Sequence, residues 1–336
     1  MAWRRPWLAI VCLCVSLVSC NIVPSVIRTD HQYILVRTVE DRLVVLEDDD
    51  PLFGRFDAEV LDDPYLARLL SIFENTTESF LATNALTSLS QTISNHLIIV
   101  LDSADVGVLH RVKVYAGGEA VPIELALGVG REGQVDLAFV RQNLARAMGM
   151  LLLELAGLKP KPGDLATEPA IYEPTTPERA FWVGFGAALE AFYGEQHLDL
   201  LRLLYQDSSP EVRDRLSRYE AIPRNGLRYR FANGTPTAEL HPPEEAMRTP
   251  GVVATFFYRL LRQDEGFYPQ RYLLWFNSYE PEEIPYGKVL LAANRLSGKD
   301  LSVQAFIAGY VEAFPSEKEA VLTLAEQAFG QGVSKK

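Results

Sequence analysis

Cysteine is scarce in this chain: 3 among 336 residues, at positions 12, 14 and 20. If the chain is cut before Cys20, a single thiol remains, and a disulfide framework within one mature chain is excluded. Long apolar runs are equally few. After the N-terminal segment no second stretch is long and greasy enough to span a bilayer, which excludes a polytopic membrane protein. Positive charge is the third shortage. Two of the 32 basic residues are Arg4 and Arg5, so the chain beyond Ser19 is more acidic still than the formal net charge of −12. An acidic body repels phosphate backbones and anionic lipid heads, and nucleic acid is not expected as a partner. What the chain has in quantity is core material: 48% of its residues are hydrophobic and 23% charged. That mixture predicts one large packed domain or two modest ones, held by core packing alone.

The first twenty residues read as an address. Met1 to Pro6 is short and basic, and Trp7 to Val18 is apolar apart from Ser16. The run suits the apolar region of a secretory signal better than a spanning helix. Leu17-Val18-Ser19-Cys20 then resembles the lipobox of bacterial lipoproteins. The resemblance implies cleavage before Cys20 and diacylglycerol on its thiol. Each buried methylene of a lipid chain contributes about 0.8 kcal/mol, so two or more chains on one residue hold firmly. The implied partner is therefore the membrane, through lipid on Cys20. The implied location is the extracytoplasmic face of the cell membrane or outer envelope.

The expected organisation is a signal peptide at 1–19, a tether with N-terminal strands at 20–60, and a single α+β, mostly helical domain at 61–336. Strand signals occur at Gln32–Val39, Leu43–Leu46, His96–Leu101, Arg111–Tyr115 and Ile123–Leu127. Glu47–Asp50 followed by Pro51 reads as a solvated turn, and Asp62-Asp63-Pro64 as a helix start. Helices are predicted at Val140–Ala156, stopped by Gly157, and from Thr176-Pro177-Glu178 to about Tyr193, where Gly194 interrupts. Two more are expected at His197–Gln206 and after Ser209. Ile222–Pro250, with five prolines and no clear period, reads as a long connection or lid. Further helices are expected at Val252–Leu261, Tyr272–Tyr279, Tyr286–Leu296, Ser302–Ala313 and Ser316–Gly330, the last opened by a capping box. The fold class is a small N-terminal sheet followed by a mainly helical half.

One helix carries a second resemblance. Leu144-Ala-Arg-Ala-Met-Gly-Met-Leu-Leu152 resembles the active-site helix of zinc metallopeptidases, typically L-A-H-E-x-G-H-x-L. Leu144, Ala145, Gly149 and Leu152 fall in place, but the chemical positions do not. Arg146 stands for the first His, Ala147 for the catalytic Glu and Met150 for the second His. In the motif, two imidazoles at i and i+4 grip one zinc ion and the Glu activates its water. Arg146 is a permanent cation, Ala147 has no base, and the Met150 thioether does not suit hydrolytic zinc. Downstream, Phe181-Trp182-Val183-Gly184-Phe185-Gly186 resembles the gluzincin W-x-E-G-x-A helix, with Val183 at the third ligand's position. The resemblance implies a zincin-like body spanning about residues 95–265, catalytically inactive, with no metal and no cofactor. It requires these two helices to lie side by side, with the side chains of Arg146–Met150 and Val183 turned to one shared cleft. The implied activity is binding of a peptide or protein. The alternative is a structural or adaptor envelope lipoprotein with an unrelated helical fold, in which Val140, Leu144, Ala147, Leu151 and Leu155 are simply a core stripe.

Other signals are weaker. No two of His31, His96, His110, His197 and His241 are spaced as local ligands. The G-x-G-x-x-G of Gly128–Gly133 lacks the βαβ context of a dinucleotide site and reads as a turn. The acid pairs Asp62-Asp63, Glu244-Glu245 and Glu282-Glu283 are adjacent rather than opposed across a cleft, which glycosidase chemistry needs. The aromatics Phe181-Trp182 and Phe256-Phe257-Tyr258 read as core, as do those of Tyr272–Phe276.

Overall fold

A computed structural model describes residues 33–47, 50–70, 96–101, 107–158, 171–196, 229–263, 287–296 and 301–330, short interruptions aside. Among these, five strands come first: β1 (Tyr33–Val39), β2 (Arg42–Val45), β3 (Leu97–Val100), β4 (Gly107–Ala116) and β5 (Glu119–Gly128). They close into a small barrel in the order β1-β2-β4-β5-β3, with β3 returning to β1. The β1–β2 and β4–β5 pairs are antiparallel hairpins, while β1–β3, β2–β4 and β3–β5 are parallel. The β1–β2 turn places Glu40 and Asp41 at φ 48° and 60°. Two positive values in a two-residue connection match the twist of the flanking strands.

Closure explains the residue pattern of the strands. Ile34, Val36, Ile98, Val100, Val114, Val121 and Ile123 form one buried cluster inside the barrel. Their neighbours Tyr33, Leu35, Leu97, Ile99 and Leu127 belong to the larger core shared with the helices. In β3 and in Tyr33–Val36 of β1, alternate side chains thus enter two different apolar layers, so both faces are buried and these segments read as unbroken hydrophobic runs.

The helical layer comes after the barrel. Two short strands, β6 (Gly130–Arg131) and β7 (Gln134–Val135), pair as a hairpin. Of the Gly128–Gly133 segment, expected as a turn, Gly128 ends β5 and Gly130–Arg131 form β6, strand rather than turn, while Val129, Glu132 and Gly133 lie outside the described residues. Next come α1 (Leu137–Leu155) and α2 (Pro177–Gln196). Then β8 (Tyr229–Ala232) and β9 (Thr235–Leu240) form a second hairpin, and α3 (Pro243–Ala246) precedes α4 (Pro250–Gln263). The chain closes with α5 (Gly287–Asn294), α6 (Val303–Ala313) and α7 (Lys318–Phe329). The α+β class therefore holds.

The end of α1 matches its sequence signal. Gly157 sits at φ 86°. Its N–H donates to the Glu154 carbonyl at 2.8 Å, and the Leu158 N–H donates to Leu153 at 3.1 Å. This is the paired arrangement that a glycine C-cap provides. Asp63 likewise begins a helical stretch, its Oδ1 accepting from the N–H groups of Tyr65 and Leu66. Ser302 caps α6 by accepting from the Ala305 N–H.

Three further expectations need correction. Gly194 does not interrupt α2, which runs on to Gln196; burial of the helix outweighs the roughly 1 kcal/mol helix cost of one glycine. Part of Ile222–Pro250 is not a structureless connection, since it holds the β8–β9 hairpin and α3; Pro236 lies within β9 and Pro243 opens α3, both places where proline is tolerated. The expected turn before Pro51 is present, the Asp50 N–H donating to the Glu47 carbonyl at 2.9 Å, and it leads into helical residues, with Asp50 Oδ1 accepting from the Leu52 N–H. The capping box at Ser316 is not formed: Pro315–Glu317 is a 3-10 turn without a side-chain cap bond. The Glu317 carboxylate instead accepts from Lys288 Nζ at 2.7 Å and Tyr310 Oη at 2.8 Å. The helices expected at His197–Gln206, after Ser209 and at Tyr272–Tyr279 lie outside the described residues.

Candidate functional site

Every residue of α2 from Ala180 to Tyr193 is buried. A helix buried all round needs apolar residues all round, and this stretch has them, with one exception. Glu190 is a carboxylate only 3% exposed. The helix is enclosed by α1 on one side and α4 on another, and two glycines make the close approaches. A Cβ on Gly184 would lie 2.6 Å from Val253 Cγ1 and 2.9 Å from the Pro250 carbonyl oxygen. A Cβ on Gly186 would lie 3.0 Å from Arg146 Cγ, 3.1 Å from the Arg146 carbonyl oxygen and 3.3 Å from Met150 Cγ. Gly149 of α1 presses from the other side, its Cβ position 2.8 Å from Leu189 Cδ1 and 3.2 Å from the Gly186 Cα. Gly149 and Gly184, the glycines shared with the peptidase motifs, thus serve close helix packing here, as does Gly186.

This crossing brings the singled-out residues together. Arg146 and Met150, at i and i+4, lie on one face of α1, and both pack where Gly186 lacks a side chain. Val183, Gly186 and Glu190, spaced three and four apart, share a stripe on α2. The helix carrying Arg146–Met150 therefore does lie beside the helix carrying Val183. Arg146, Ala147, Met150 and Val183 are 8, 4, 3 and 1% exposed. All four are shielded from solvent, and Arg146 and Met150 pack into the closed α1–α2 crossing, so these residues do not line the shared cleft expected of them.

The electrostatics rest on a residue that no motif singles out. Arg146 Nη1 stands 3.9 Å from Glu190 Oε2. Glu190 lies seven residues beyond Val183, two helical turns on, where no motif position points. An isolated acid within an otherwise apolar helix is the signal that the sequence offers for it. Both charges are out of water, and each offsets the desolvation of the other.

Zinc does not fit this donor set. A guanidinium repels a divalent cation, valine and alanine offer no lone pair, and thioether sulfur suits softer metals. Elsewhere His96 is buried, and so is His241, its Nδ1 lying 3.5 Å from Glu245 Oε2. His31 and His197, with Cys20, lie outside the described residues. Among the described residues no three His, Cys, Asp or Glu side chains gather as a metal site, and no helix is long and apolar enough to cross a membrane.

Phe181, Trp182, Phe256, Phe257 and Tyr258 form core as expected, while Tyr272–Phe276 lie outside the described residues. Phe257 of α4 meets Phe181 at 5.1 Å, Phe185 at 5.3 Å and Phe306 at 5.1 Å between ring centroids. These tilted and edge-on arrangements favour ring quadrupoles as well as apolar burial. No protein-family model matches the chain, and neither does any curated protein or solved structure.

Proposed function

We propose that this chain is an exported bacterial lipoprotein, anchored through lipid on Cys20, whose body is a non-catalytic relative of the zinc metallopeptidases and acts by recognising a peptide or protein. The observation that carries the reading is the Arg146–Glu190 pair, buried in the α1–α2 interface at 3.9 Å. At the positions where a hydrolase needs lone pairs for a metal and a base for water, this chain holds a fixed cation, a methyl group, a thioether and a hydrocarbon. The lipobox and the apolar N-terminal run support export and anchoring. Because the four motif positions are buried, recognition uses the outer surface of the body rather than the crossing of α1 and α2.

Metabolic labelling with a palmitate analogue tests the anchor. Wild-type protein is expected to carry the label and fractionate with membranes, and Cys20→Ala to carry none. Equal labelling of the two proteins would refute lipid attachment at Cys20.

A further inference from the structure

We infer that the Arg146 guanidinium, held by Glu190, acts as the resident cation of the α1–α2 junction, an ion-pair lock standing where the metallopeptidase frame would hold a divalent ion. The inference rests on the kinship proposed above only for what the lock replaces; the lock itself rests on geometry. Three observations converge. Arg146, which by the motif resemblance stands for the first metal-binding histidine, packs against Gly186 of α2. Glu190, a buried carboxylate on the Val183 stripe, supplies the counter-charge at 3.9 Å. Gly186, between Val183 and Glu190, leaves room for the Arg146 stem, whose Cγ lies 3.0 Å from the place its Cβ would take.

The chemistry of the lock differs from that of a metal centre in a way that matters. A bound ion leaves when its ligands are protonated or a chelator competes. A guanidinium is covalently part of the chain and stays charged throughout the physiological range. The junction is then independent of metal supply. Its register is set by the need of two buried charges to face each other, since a buried charge without a counter-charge is far costlier than a facing pair.

A double-mutant cycle on the full-length, detergent-extracted protein tests the lock. Arg146→Met alone and Glu190→Leu alone are each expected to raise the unfolding constant by between about a hundredfold and a few thousandfold. The double variant should lose less than the product of the two single effects, by at least about tenfold. Single effects that multiply in the double variant would overturn the lock. If neither single variant accumulates folded, a folded double variant gives the same support, and a double variant that also fails overturns it. Kinship is tested separately by the fourfold variant Arg146→His, Ala147→Glu, Met150→His and Val183→Glu, dialysed with zinc. One retained zinc per chain is expected; no uptake alongside a coupled cycle overturns the kinship alone.

Discussion

Arg146 of α1 and Glu190 of α2 face each other at 3.9 Å across a junction that leaves them 8 and 3% exposed. Salt screens exposed charges within about 3 Å at 1 M ionic strength but reaches buried pairs far less. The stability difference between wild type and Glu190→Leu should therefore move by less than about 0.5 kcal/mol between low salt and 1 M sodium chloride. The contrasting pair is Arg295–Glu312, 49 and 80% exposed at the side chain, which ordinary salt should mask. Denaturant midpoints at the two salt concentrations make the comparison, and a difference that collapses in salt would place the Arg146 pair in solvent.

The glycines of α2 make a second prediction. Gly184→Ala drives a methyl into Val253 and the Pro250 carbonyl oxygen, and Gly186→Ala presses on the backbone of Arg146. Overpacking of this kind costs about 1–3 kcal/mol. Gly54 provides the control. It is helical and exposed, with nothing within 4 Å of its Cβ position, so Gly54→Ala should be neutral or stabilise by up to about 1 kcal/mol. Thermal unfolding of the three variants checks the ranking.

The end of α1 offers a third. Asn294 of α5 donates from Nδ2 to the Ala156 carbonyl at 2.8 Å, closing an acceptor that the helix terminus leaves open. Asn294→Ala should cost about 1 kcal/mol. Gly157→Ala should cost a similar roughly 1–2 kcal/mol for the left-handed backbone, without breaking a side-chain bond. Both losses should appear as earlier amide exchange at the C-terminal turn of α1.

The aromatic core gives a fourth. Phe257 is fully buried and meets Phe181, Phe185 and Phe306 from α2 and α6. Phe257→Ala should lower stability by about 3–5 kcal/mol, a large part of the total for a typical domain. A melting temperature within a few degrees of wild type would show that the three helices do not share this core.

Local signals are legible where the physics is local. Gly157, Ser302 and Asp63 each punctuate a helix as their chemistry dictates, and the runs Tyr33–Val36 and Leu97–Val100 are strands. Closure of the barrel is not readable, because the parallel pairs β1–β3 and β3–β5 join strands far apart in sequence and a continuous apolar run does not say how many layers it enters. Gly194 misleads because tertiary burial overrides propensity, and the prolines of Ile222–Pro250 conceal a hairpin that tolerates them. At the candidate site, Arg146, Met150 and Val183 stand out in the sequence, whereas Glu190 gains its meaning only when the crossing brings two helices face to face.

Elemental analysis of the membrane-extracted protein decides whether a guanidinium has taken the place of a metal. After dialysis against a chelator-free buffer, a cation-locked junction should carry zinc at background, well below one ion per chain, with an unfolding midpoint unchanged by phenanthroline. One zinc ion per chain retained through dialysis, with the midpoint falling when the chelator is added, would contradict it.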